Sequence, residues 1–94
     1  MDQFKSQFEE RPIIRDGLIL YKKNDILDII EHCRNYNIAI FWIDAFYLTE
    51  TSIQPSIENS INYSSTNKNY HDYDGALKFI AEREEYLFFE IVCE

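Results

Sequence analysis

Ile38-Ala39-Ile40-Phe41-Trp42-Ile43-Asp44 is the stretch that decides the fold. Apolar residues fill it up to the final acid, most of them β-branched or aromatic, which specifies a strand buried on both faces. The run is too short to span a membrane. Beyond Asp44 the chain turns polar. The strand therefore reads as the floor of the fold, and the polar segment after it as the working surface.

Upstream, Ile26, Leu27, Ile30 and Cys33 recur at helical spacing, and Ile29 widens the stripe. Asp25, Asp28, Glu31 and Arg34 take the other side. A helix over 25–36 is expected, N-capped by Asn24 and ended by Asn35-Tyr36-Asn37. Farther back, Leu18 to Tyr21 reads as a short strand after the turn signal Asp16-Gly17. Asp2 to Glu10 reads as a short helix with Phe4 and Phe8 on one face, stopped at Pro12.

Downstream, Ala45 to Leu48 continue the strand or bend out of it, and Thr49 to Pro55 read as a polar loop. Ile57, Asn59, Ile61 and Tyr63 alternate with Glu58, Ser60 and Asn62, the period of a strand with one wet face. Ser64 to Asn69 is loop by composition. Asp72 is placed to cap a helix over 73–84, with Tyr73, Ala76, Leu77 and Ile80 on one face. Tyr86 to Cys93 closes the chain as a strand.

These elements predict a single domain, residues 1–94, of the α+β class. The expected architecture is a two-layer sandwich: a small mixed sheet of three or four strands with two or three helices. The two most apolar strands, 38–44 and 86–93, belong at its centre. The unit 57–63, 73–84, 86–93 suggests a right-handed crossover.

The formal net charge is -8. That argues against nucleic acid as a direct partner, because phosphate binding needs Lys and Arg to displace counterions. It suits a basic protein partner, although acids that merely keep the chain soluble explain the same number. Seven Tyr exceed what a small core needs, so several are expected at the surface. Cys33 and Cys93 both fall at apolar positions and read as buried free thiols rather than a disulfide. With no CxxC and no His-rich tract, no metal or cofactor is expected. The charged N-terminus has no apolar core of a signal peptide, so the expected location is cytoplasmic.

Catalysis finds little to work with. Gly17 and Gly75 are the only glycines, which removes P-loops and dinucleotide fingerprints. His32 lies within the first helix and reads as structural or solvated. His71, among Tyr70, Asp72, Tyr73 and Asp74, and Asp44 at a strand end are the two candidates for acid–base or ligand chemistry. Helix capping accounts for the first cluster, and an exposed strand-end acid for the second.

The charge layout says more. Between Lys23 and Lys68 the only basic residue is Arg34, against Asp25, Asp28, Glu31, Asp44, Glu50 and Glu58. Tyr47, Asn59, Asn62 and Tyr63 lie in the same span, with Tyr70 and Tyr73 just beyond. Acids, amides and phenols in this mixture suit a protein-binding surface, and an ordinary polar loop has the same composition.

The order of elements resembles the small immunity proteins of bacterial toxin systems: colicin, contact-dependent inhibition and polymorphic-toxin types, including the immunity protein of the tRNA-cleaving colicin. The resemblance rests on Asp25-Ile26-Leu27-Asp28-Ile29-Ile30-Glu31-His32-Cys33 as helix, then the strand ending in Asp44, then a polar segment and the strand Ile57 to Tyr63. The helix Ala76-Leu77-Lys78-Phe79-Ile80 and the apolar C-terminal strand complete it. In that family a glycine-containing turn often surrounds the acid, where this chain has Phe41-Trp42 and Ala45. The resemblance implies a non-enzymatic inhibitor that binds a cognate toxin domain, a basic nuclease, in a 1:1 complex. The residues expected at that interface are Asp44, Tyr47, Glu50, Glu58, Asn62, Tyr63, Tyr70, Asp72 and Tyr73.

Overall fold

Five strands and two helices succeed one another in the computed structural model, which describes residues 13–15, 17–64 and 68–94. They are β1 (Ile13–Arg15), β2 (Leu18–Lys22), α1 (Lys23–Asn35), β3 (Ile40–Leu48), β4 (Ile53–Asn62), α2 (Tyr73–Ala81) and β5 (Phe88–Cys93). The expected helix over 2–10 and its Pro12 stop lie outside the described residues, as do Asp16 and part of the loop over 64–69.

The sheet has five strands in the order β1-β2-β5-β3-β4, and every neighbouring pair is antiparallel. The expected mixed sheet of three or four strands is thus corrected to an antiparallel sheet of five, within the same α+β class. The extra strand, β1, pairs Ile13 with Leu20 and Arg15 with Leu18 through a hairpin at Gly17. Gly17 has φ +81, a backbone that glycine adopts without strain. Three residues are too few to carry a periodic signal, which is why composition alone does not reveal β1.

The last strand sits in the middle. β5 separates β2 from β3, so the β2–α1–β3 connection passes over it. β3 separates β4 from β5, so β4–α2–β5 passes over β3. The two units interleave, and the crossover expected for the second joins strands that are parallel but not adjacent.

α1 begins at Lys23, directly after β2, so Asn24 is a first-turn residue and not the N-cap. The cap position, Lys22, makes no side-chain capping bond. The C-terminal end of α1 lies closer to expectation. Asn37 is left-handed (φ 55), the Asn37 amide reaches the Arg34 carbonyl at 3.3 Å, and the Ile38 amide reaches the Cys33 carbonyl at 2.8 Å. That double bond pattern is the Schellman stop. In α2, the Asp72 side chain accepts from the Gly75 amide at 3.2 Å, as a capping aspartate does. A Cβ on residue 75 would collide with that carboxylate, so glycine keeps the cap in place. α2 stops at Ala81, short of the expected 84, and Arg83 folds back to the Phe79 carbonyl at 3.0 Å.

β3 runs on through Leu48, and the expected loop over 49–55 shrinks to a tight turn. The Thr49 hydroxyl accepts from the Ser52 amide at 3.0 Å and pairs with the Ser52 hydroxyl at 2.8 Å. β4 therefore starts at Ile53 and includes Pro55, which an edge strand tolerates.

Pleating divides the sheet into two faces. Ile43, Ala45 and Phe89 point inward and join Ile26, Ile29, Ile30, Cys33, Ala76 and Ile80 of the helices in one buried core. Trp42, Asp44 and Phe46 of β3 point outward, as do Phe88, Glu90 and Val92 of β5. Among the described residues no helix packs on this outer face.

Candidate functional site

β4 breaks register against β3. Ile43 pairs with Ile61 and Ala45 with Ser56, so β4 carries extra residues between two pairings that are close together on β3. Polar side chains hold the gap open. The Ser60 hydroxyl accepts from the Ala45 amide at 2.9 Å and donates to the Ser56 carbonyl at 2.7 Å, replacing the missing ladder bonds. Asn59 donates to the Ser56 hydroxyl at 2.8 Å, and Arg83 donates to the Asn59 carbonyl oxygen at 3.1 Å. Bulges of this kind re-aim side chains at functional edges.

The break alters the expected alternation. Ile57 does not join Ile61 on the inner face; it stands 88% exposed at the tip of the bulge. Beneath it lies an outer-face groove of about 350 Å³, lined by Asp44, Phe46, Pro55, Ile57, Ser60 and Asn62. Phe46, Pro55 and Ile57 form its apolar wall and Asp44, Ser60 and Asn62 its polar one, with Asp44 the only charge in the lining.

Asp44 has a second acid beside it. Glu90 lies directly opposite across the β3–β5 ladder. Both are partly buried. Burial raises the Asp44 carboxyl above its ordinary range. Burial, and then the charge of Asp44, raise that of Glu90. Like charges directly opposite in a sheet destabilise it. Among the described residues neither carboxylate has a hydrogen bond or an ion pair with a cation. Two basic groups of α1 are engaged on the helix side of the sheet. Arg34 pairs with Glu31 at 2.6 Å and Asp74 at 3.1 Å, and Lys23 donates to the Arg83 carbonyl at 2.7 Å.

The nine residues expected at an interface separate into two groups. Asp44 and Asn62 meet in the groove, Glu58 is next to Ile57 on the bulge, and Glu50 is exposed in the β3–β4 turn. The phenols and Asp72 instead serve the fold. Tyr63 (4% exposed) and Tyr73 (8%) are core residues. The Tyr73 hydroxyl donates to the Ile38 carbonyl and meets His71 Nδ1, both at 2.7 Å. Tyr63 is pushed up to about 12 by burial and by its contact with Asp72. Tyr70 packs edge-on against Phe41 at 5.0 Å, and Tyr47 stacks on Tyr86 at 5.8 Å. Tyr63 and Tyr73, expected at the interface, are therefore corrected to core residues, while Tyr47 and Tyr70 stay partly exposed. His32, read as structural or solvated, is buried against Tyr36.

Glu90 and Ile57 were not among the expected site residues. A lone acid between Phe89 and Ile91 signals an outward-facing position, but the sequence does not say which strand lies beside it. The groove does not include His71, so Asp44 and His71 share no cavity there. Among the described residues no cluster of three or more His, Cys, Asp or Glu is placed to hold a metal. No helix among them is long and apolar enough to cross a membrane.

Comparison with known proteins returns no match: no family model, curated protein or solved structure is significantly similar to this chain.

Proposed function

We propose that this protein is an immunity-type inhibitor. It binds a cognate bacterial toxin domain, a basic nuclease, one to one in the cytoplasm of the producing cell, and covers the active site of that domain. The observation that carries this reading is the Asp44–Glu90 pair. Two half-buried carboxylates face each other with no cation paired to them among the described residues, beside a groove with an apolar wall and an exposed isoleucine. The pair costs stability in the free protein, and a Lys or Arg from a partner would offset that cost. Phe46, Pro55 and Ile57 would take the aliphatic stem of such a side chain, and its cationic head would meet Asp44. Glu50 and Glu58 extend the negative field that speeds encounter.

The direct test is co-expression with the C-terminal toxin domain of a secreted protein encoded by the adjacent upstream gene. Co-purification as a 1:1 complex and loss of the nuclease activity are expected. Glu50→Lys and Glu58→Lys should each slow association about tenfold at low salt and flatten its salt dependence. Asp44→Lys should also speed dissociation, because it places a like charge at the centre of the contact. Unchanged rates in all three variants would exclude this surface, and absence of any complex would exclude the inhibitor reading itself.

A further inference from the structure

Residues 57–60 of β4 stand opposite Asp44 alone, because the ladder pairs Ile61 with Ile43 and Ser56 with Ala45. One additional residue is enough to bend a strand, and this bulge holds more. It is pinned from both faces of the sheet. On the groove side the Ser60 hydroxyl ties the Ala45 amide to the Ser56 carbonyl. On the helix side the Asn59 amide group donates to the Ser56 hydroxyl at 2.8 Å, and its oxygen accepts from Arg83 at 3.1 Å. Arg83 is itself fixed. Its Nε donates to the Phe79 carbonyl at 3.0 Å, its guanidinium lies 4.1 Å from the centre of the Phe79 ring, and its carbonyl accepts from Lys23 Nζ at 2.7 Å. The brace therefore runs from the start of α1, past the end of α2, to the bulge.

Polar side chains that satisfy an irregular backbone account for the serines. They do not account for the residue at the tip. Ile57 is 88% exposed, more than Ile14, Ile19, Tyr36 or Tyr86, the other large apolar side chains standing in solvent among the described residues. A tip that served folding alone would carry a polar residue. One flank of Ile57 closes the groove beside Asp44, and Glu58, also exposed, follows it. A rigidly held apolar knob flanked by acids is complementary to an apolar recess rimmed by Lys or Arg.

We infer that Ile57 is the anchor of the interface, a preformed knob that enters an apolar recess rimmed by basic residues on the partner protein, and that Arg83 is the positioning residue that holds it ready from the helix side. On the inhibitor reading, which this rests on, that partner is the toxin domain. Insertion then runs both ways: the groove receives a basic side chain, and Ile57 enters the partner. Arg83 does not touch the partner. It spares the complex the cost of ordering a loose bulge on binding.

The test measures the free protein and the complex separately. In the free protein, backbone amide order parameters at 57–60 should be about 0.85 in wild type and fall to about 0.6 in Arg83→Met, which keeps the stem over Phe79 and loses the donors. Against the toxin domain, Ile57→Ala should raise Kd about thirtyfold. Arg83→Met should raise it about fivefold, and Asn59→Ala, which removes the other half of the same bond, by a similar factor. In the Ile57→Ala background, Arg83→Met should change Kd by less than about twofold, a result that a general loss of stability would not give. Order parameters that stay high in both Arg83→Met and Asn59→Ala would overturn the positioning role, with or without a partner. A complex whose Kd is unmoved by Ile57→Ala would overturn the anchor and leave the inhibitor reading intact. No complex with wild type would remove that reading and the anchor together, and the order parameters would then decide the role of Arg83. Should Arg83→Met fail to fold, Asn59→Ala carries both measurements.

Discussion

Ile43 and Asp44 are neighbours in β3 and face opposite sides of the same sheet. Ile43 is fully buried against two helices, with Ala45 and Phe89 beside it on the inner face. Asp44 meets another carboxylate and the edge of an open groove. On the inner face local pattern, packing and hydrogen bonding point to one structure. On the outer face the protein sets like charges together, exposes an isoleucine and opens a strand pairing with serine and asparagine side chains. Departures from the rules of stability cluster where binding is proposed, as functional surfaces generally show.

The contrast can be broken first by truncation. Phe89→Ala should cost about 3–5 kcal/mol by chemical denaturation, because it leaves a cavity in a core with no room to collapse. Ile57→Ala should cost no more than about 0.5 kcal/mol, since that side chain already lies in water. Equal losses at the two positions would mean that Ile57 is structural.

A smaller effect tests the phenols taken into the core. Tyr73→Phe removes the donor to the Ile38 carbonyl and the contact with His71, and should cost about 1–2 kcal/mol. A loss of binding to the proposed partner without a loss of stability would return Tyr73 to the proposed interface. Asp72→Ala should cost about 1 kcal/mol through the α2 cap, again without a change in binding.

The smallest expected effect has the opposite sign. Glu90→Gln should stabilise the free protein by about 0.2–1 kcal/mol near neutral pH, at the low end once solvent screening is counted. The folded-state carboxyls of Asp44 and Glu90 titrate above their unfolded values, so the folded protein holds protons that the unfolded chain has already released. Stability from this pair is therefore greatest at acidic pH and falls as pH rises through the raised values. The gain from Glu90→Gln should be full at neutral pH and vanish below the ordinary carboxylate range. Denaturation curves of the two proteins at both pH extremes measure it. A gain that persists in acid would assign the cost to something other than charge.

Several elements were legible because their signals are local. The apolar run into Asp44, the stripe Ile26, Ile30 and Cys33, the Asn37 stop and the Asp72 cap each depend on residues within one or two turns, and each stands in the structure at nearly its expected place. The helix start at Lys23, the short strand β1 and the register break in β4 were not legible. Each depends on what another segment supplies: a strand that runs straight into a helix, a hairpin partner for three residues, a serine hydroxyl that takes over a ladder bond. The candidate site divides in the same way. The excess of acids between Lys23 and Lys68 is visible in the sequence, but the pairing of Asp44 with Glu90 is not.

The sequence by itself determined the α+β class, the two helices, the two most apolar strands and the sign of the surface charge. Periodicity and composition are properties of neighbouring residues, and they survive without knowledge of the rest of the chain. Only the tertiary structure decided that β5 inserts beside β3, that Tyr63 and Tyr73 are drawn inward, and that Asp44 meets Glu90. Those facts depend on strand order and register. Order and register are set by burying one shared core, to which residues far apart in the chain contribute together.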